Sequence, residues 1–83
     1  GQRMHDRATP ENEFIRREVE RTVLEAVAEL PEEIRTALTL REIDGLSYEQ
    51  IAEVMGCPIG TVRSRIFRGR DAVDQRLRPL LEG

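Results

Sequence analysis

The chain has 83 residues, 39% hydrophobic and 35% charged, with a formal net charge of −3. That length allows one small domain, and no run of eighteen apolar residues or leader pattern is read in it, so the expectation is a cytoplasmic chain without a membrane span. A single cysteine, Cys57, and a single histidine, His5, exclude an internal disulfide and offer no metal-ligand set, so no metal or cofactor is expected.

Residues 1–8, GQRMHDRA, show no periodicity and read as a disordered lead-in or linker. Thr9 and Pro10 mark a helix start, with Thr9 as N-cap and Pro10 at the first helical position, where its missing N–H would have no partner anyway. Ile15, Val19, Val23, Ala26 and Leu30 then recur every three or four residues, so one face of a helix over 10–29 is expected to be buried. Glu13, Arg16, Arg17, Glu20 and Arg21 lie opposite, either as a solvated face with pairs such as Glu13–Arg17 or as a partner-facing one. Pro31 stops this helix and opens a second over 31–43, with Glu32 and Glu33 in the first turn, where the helix dipole favours acids. Ile34, Ala37, Leu38, Leu40 and Ile43 are expected on its inner side. Arg41 either complements the dipole at the helix end or reaches a phosphate, and Asp44-Gly45 ends the element.

The stretch LSYEQIAEVMGCPIGTVRSRIFRGR, residues 46–70, reads as two short helices joined by a tight turn. Ser47 and Gln50 make a capping box, with Leu46 and Ile51 as the hydrophobic staple. Ile51, Ala52, Val54 and Met55 are expected to form a buried stripe, and Gly56 suits a left-handed stop. Pro58 fits the first turn of the next helix, Val62 plugs the angle between the two, and Cys57 is expected to pack half-buried in the turn. This last helix is expected over 58–77, with Pro79 ending it and Leu80 and Leu81 capping the core or meeting a partner.

At 100° per residue, Ile59, Val62, Ile66, Gly69 and Val73 share one arc of the last helix. Gly60, Arg63, Ser64, Phe67, Arg68 and Asp71 fall opposite, with Arg65 and Arg70 flanking. Arginine grips guanine N7 and O6 with two bonds, a serine hydroxyl bonds any base edge, and a phenyl ring packs on a thymine methyl. That is the chemistry of a recognition helix in a DNA major groove. The overall acidity does not oppose it, because residues 56–70 hold four arginines and no acid, whereas 11–33 hold eight acids against three arginines. A local basic patch is what the phosphate backbone feels.

The run LPEEIRTALTLREIDGLSYEQIAEVMGCPIGTVRSRIFRGRDAV, residues 30–73, resembles region 4 of bacterial sigma factors, nearest to the extracytoplasmic-function branch of the sigma-E type. The resemblance implies an all-α, compact four-helix domain over 9–83 with a C-terminal helix-turn-helix, winged-helix-like but without a wing. It implies reading of a promoter −35 element of GGAAC type, docking on the β flap of RNA polymerase core, and an anti-sigma factor as a further partner. By the same resemblance the base-reading positions are Arg63, Ser64, Phe67 and Arg68, and the backbone-contacting positions are Arg41, Tyr48, Thr61 and Arg70. For Tyr48 a phosphate bond at a helix N-terminus and a plain packing role both stand. Region 2, which melts the −10 element, is not in these residues, so the chain is expected to be a fragment or an excised module that cannot initiate transcription alone. Two rival readings fit the residues less well. An enzyme would need more than the exposed pairs Glu32–Glu33 or Glu49–Glu53, which sit beside no glycine-rich loop, histidine or metal set. A LuxR-type response-regulator output domain shares the helix-turn-helix spacing but needs a dimerising last helix; here that helix carries arginines and a proline, so a monomer is expected.

Overall fold

The computed structural model describes residues 10–82, so the expectations for the lead-in 1–8 and for Thr9 as a cap lie outside the described residues. Four helices follow one another: α1 Pro10–Ala28, α2 Glu32–Glu42, α3 Tyr48–Met55 and α4 Ile59–Glu82, with no strand among the described residues. The all-α expectation holds, and the links are short. α4 is the hub, touching each of the other three helices, while α2 also touches α3.

Local chemistry sets the joints. After α1, the Leu30 N–H bonds the Val27 carbonyl at 3.1 Å, and Arg35 Nη1 donates to the Ala28 and Leu30 carbonyls at 3.2 and 3.1 Å. An arginine from α2 thus satisfies carbonyls that the end of α1 leaves open. Pro31 is the N-cap of α2. Between α2 and α3 the chain reverses through Gly45 at φ +73°, a conformation that L side chains adopt rarely. Ser47 Oγ accepts from the Gln50 N–H at 3.1 Å and Gln50 Oε1 accepts from the Ser47 N–H at 2.8 Å, which is the expected capping box. Ser47→Ala is therefore expected to cost about 1 kcal/mol of folding stability; a urea midpoint equal to the parent's would remove the cap from the account.

The core gathers Leu30, Ala37, Leu38, Ile51, Val62 and Ile66, with Leu46, Tyr48, Ala52, Met55, Cys57 and Val73 packed against it. Ile51, Val62 and Ile66 are the largest fully enclosed side chains, and they come from the two halves of the helix-turn-helix. Gly69 explains how closely α4 meets α2. A Cβ at this position would lie 3.2 Å from Ile34 Cγ2 and from Leu38 Cδ2, so the absent side chain is what admits them.

Five expectations are corrected. Ile43 is 79% exposed, because it sits at the C-cap of α2, half a turn from the inward line of Ile34. Val54 is 63% exposed, because Ile51, Ala52 and Met55 already fill the arc of α3 that meets its neighbours. Ile15 is 51% exposed beside exposed Phe14, so the inward face of α1 begins further along, at half-buried Val19 and Val23. Pro79 does not end α4, which runs on to Glu82. The ring removes one N–H whose acceptor would be the Gln75 carbonyl; both residues are exposed, so water can take that carbonyl and the last turn survives. Leu80 and Leu81 are exposed and do not cap the core.

Candidate nucleic-acid interface

The turn between α3 and α4 is built by Gly56 at φ +64°, the left-handed stop expected from the sequence. The Cys57 N–H reaches back to the Ala52 carbonyl at 3.1 Å, and the Thr61 and Val62 N–H groups bond the Pro58 carbonyl at 3.0 and 3.2 Å. Pro58 thus stands just before α4 rather than as its first residue. With Val62 and Ile66 enclosed and Gly69 buried against α2, the roll of α4 about its axis is fixed. Arg63, Ser64, Phe67 and Arg68 must then face outward.

All four are exposed, Phe67 by 70%. Among the described residues, none of Arg63, Ser64 and Arg68 has a side-chain hydrogen bond or ion pair. The phenyl ring is largely exposed, although it also borders an apolar groove between α1, α2 and α4, and the guanidinium groups and hydroxyl beside it have no partner that folding would require. The face displays donors, an acceptor and an apolar contact on one turn and a half of helix.

The four residues expected at the DNA backbone differ from one another. Thr61 is half-buried in the first turn of α4, near the N–H groups that a helix start leaves open. Tyr48 is half-buried at the start of α3 and packs on the core cluster, so its packing role is real. Arg41 turns inward. Its Nη1 donates to the Leu46 carbonyl at 2.8 Å, and its guanidinium carbon stands 5.1 Å from the centre of the Tyr48 ring. It therefore closes the α2–α3 loop and positions Tyr48. The pattern held that signal: Arg41 lies seven residues after Ile34, within about 20° of it around the helix. Arg70 is exposed but engaged, with Nε donating to Glu42 Oε2 at 2.7 Å and Nη2 meeting the same oxygen. That hydrogen bond is the main cause holding its pKa above the ordinary arginine value; loss of hydration opposes it, and Tyr48 adds a smaller upward push. Nothing local announced the pairing, since the partners are 28 residues apart.

Arg65 is half-buried on the flank, its Nη1 3.7 Å from Cys57 Sγ and 3.9 Å from Met55 Sδ. This matches its expected place between the groove face and the core. An apolar groove of about 730 Å³ opens between α1, α2 and α4, with Val23, Val27, Leu38, Ile43, Val73 and Leu77 in its lining. Among the described residues no group of side chains is arranged to hold a metal ion, and no helix is long and apolar enough to cross a membrane.

A tri-helical support that presents one rigid, arginine-rich helix behind a tight turn defines a helix-turn-helix domain. Comparison with known proteins carries this further. The family described as Sigma-70, region 4 matches residues 20–73. The chain is 53% identical to the ECF RNA polymerase sigma-E factor of Haemophilus influenzae, over 98% of this chain and 43% of that protein. It is 59% identical to the RNA polymerase sigma-H factor of Pseudomonas aeruginosa, over 94% of this chain and 40% of that protein. The Escherichia coli K12 ECF RNA polymerase sigma-E factor is 53% identical over 89% of this chain and 39% of its own length. The chain belongs to the sigma-70 region 4 family. It spans about two fifths of the length of these relatives. The LuxR-type alternative is not favoured by these matches.

Proposed function

We propose that this chain is the DNA-reading domain of an alternative sigma factor, not an enzyme, and that it recognises a promoter −35 element from the major groove. The observation that carries the reading is the outward set Arg63, Ser64, Phe67 and Arg68, exposed on a helix whose opposite face is locked into the core. These four contact bases. Thr61, Tyr48 and Arg70 contact the DNA backbone, and Arg41 serves that contact through Tyr48, over whose ring it lies. The partners are double-stranded promoter DNA, RNA polymerase core through its β flap, and an anti-sigma factor, in the cytoplasm. The apolar groove between α1, α2 and α4 supplies the kind of surface a protein partner needs. The domain binds DNA as a monomer, since the late turns of α4 carry Arg76, Arg78 and Pro79 where a dimer seam would be needed.

The test is fluorescence anisotropy with a duplex carrying a GGAAC-type element. Binding is expected near micromolar, because region 2 and polymerase add effective concentration in the whole assembly. With roughly four to six phosphate contacts, log K is expected to fall against log salt with a slope of about −4 to −5. Affinity that ignores salt would contradict an interface built on arginine. Sedimentation of the same mixture should give one domain per site, and two per site would restore the dimeric alternative.

A further inference from the structure

Four arginines lie in residues 56–70, and the fold treats them in three ways. Arg63 and Arg68 are open, Arg65 rests on sulfur atoms, and Arg70 alone is matched with an acid. The acid, Glu42, comes from the end of α2, and its Oε2 takes both the Nε and the Nη2 of Arg70. That is the side-on edge of the guanidinium, which a phosphate oxygen also prefers. Both side chains are about half exposed, 53% for Arg70 and 47% for Glu42, so water screens the pair and the fold gains little from it. A carboxylate placed there acts mainly on what Arg70 can bind.

We propose that Glu42 is an internal stand-in for a DNA phosphate, which occupies the binding edge of Arg70 and keeps the affinity of the free domain for DNA low without changing its base preference. This rests on the DNA-binding reading above. A phosphate arriving at Arg70 must displace the carboxylate or share the guanidinium with it. Either way one arginine adds less than a full charge to counterion release. The polar base readers are untouched, because Arg63, Ser64 and Arg68 have no hydrogen bond or ion pair to Glu42; Phe67 lines the same groove as Glu42 and Arg70 but is not joined to either by a polar contact. The consequence is a domain that holds any duplex loosely until other parts of a larger assembly add their contacts.

The experiment compares the parent chain with Glu42→Gln, Arg70→Ala and the double variant, on the GGAAC-type duplex and a scrambled duplex, by anisotropy across a salt series. Circular dichroism melting confirms that each variant folds. Glu42→Gln is expected to tighten both duplexes alike, about three- to tenfold at roughly 50 mM salt, with a slope steeper by about 0.9, so that the advantage shrinks about threefold by roughly 200 mM. In the Arg70→Ala background, Glu42→Gln is expected to change nothing. Weaker binding in Glu42→Gln would overturn the proposal, because Glu42 would then be orienting Arg70 for DNA. An equal gain in the Arg70→Ala background would overturn it too, leaving only general charge repulsion. If Arg63→Ala and Arg68→Ala still blunt discrimination while Glu42→Gln has no effect, the proposal fails alone. If neither duplex shows salt-dependent binding, the DNA-binding reading fails and takes the proposal with it.

Discussion

Ile51→Ala is expected to destabilise the domain by about 2–4 kcal/mol, the range for truncating a large aliphatic side chain in a closed core. Ile51 is fully enclosed and belongs to the cluster formed by Leu30, Ala37, Leu38, Val62 and Ile66. The residues around it come from α2, α3 and α4, whose relative positions are fixed by other contacts, among them Gly69 on Ile34 and Leu38. A hole at Ile51 therefore has little freedom to collapse, which places the cost well inside that range. A domain of this size has a total stability of only about 5–15 kcal/mol, so the loss is a large share of it. In melting temperature the shift is roughly 10–30 °C for a domain of 60–100 residues. DNA affinity measured well below the melting point should change far less, because the variant removes no group from the outward face. A melting curve that coincides with the parent's would show that Ile51 is not the keystone of the helix-turn-helix.

The parts of the fold that were legible in the sequence are those decided within four or five residues. Ser47 and Gln50 find each other across a single turn, Gly56 takes the left-handed stop, and Pro31 sits as the N-cap just ahead of α2. The outward set on α4 was legible for a related reason. A 24-residue helix with Val62, Ile66 and Gly69 on one line leaves little doubt about its opposite line. Legibility fell where coverage by another element decides the outcome. Val54 and Ile15 are apolar and near the right period, yet no neighbour covers them, and a single sequence does not say how far a partner helix extends. Pro79 follows the same logic in reverse: its exposed last turn tolerates a lost hydrogen bond that a buried turn would not.

Long side chains were the least legible, because an arginine reaches several ångströms in more than one direction. Arg41 curls back onto Leu46 and Tyr48, Arg70 crosses to Glu42, and Arg76 bridges from α4 to Glu25 on α1 at 3.7 Å and to Glu29, just past the end of α1, at 2.6 Å. Each of these is a tertiary contact that composition and spacing cannot place. For the candidate site the result is a division of labour. The base-facing arginines are the ones the fold leaves alone, and the arginines nearer the rim of the site are already held by the protein.

That division predicts unequal effects from residues of equal charge, and the comparison within α4 is the sharpest form of it. Arg63→Ala or Arg68→Ala is expected to cost about 1–3 kcal/mol against the GGAAC-type duplex, the worth of one bidentate base contact, or roughly 5- to 150-fold in affinity. Against a scrambled duplex the loss should be small, so discrimination between the two shrinks. Arg65→Ala should leave the ratio nearly unchanged, because this guanidinium lies half-buried beside Cys57 Sγ and Met55 Sδ and does not project with Ser64 and Phe67. A purely electrostatic patch would treat all three alike, weakening both duplexes and making the salt slope shallower by about 1 for each charge removed. The measurement needs anisotropy on two duplexes at two salt concentrations. Arg65→Ala abolishing discrimination while Arg68→Ala preserves it would mean that DNA meets α4 on its flank, and the base-reading set would have to be redrawn around Arg65 and the turn at Cys57.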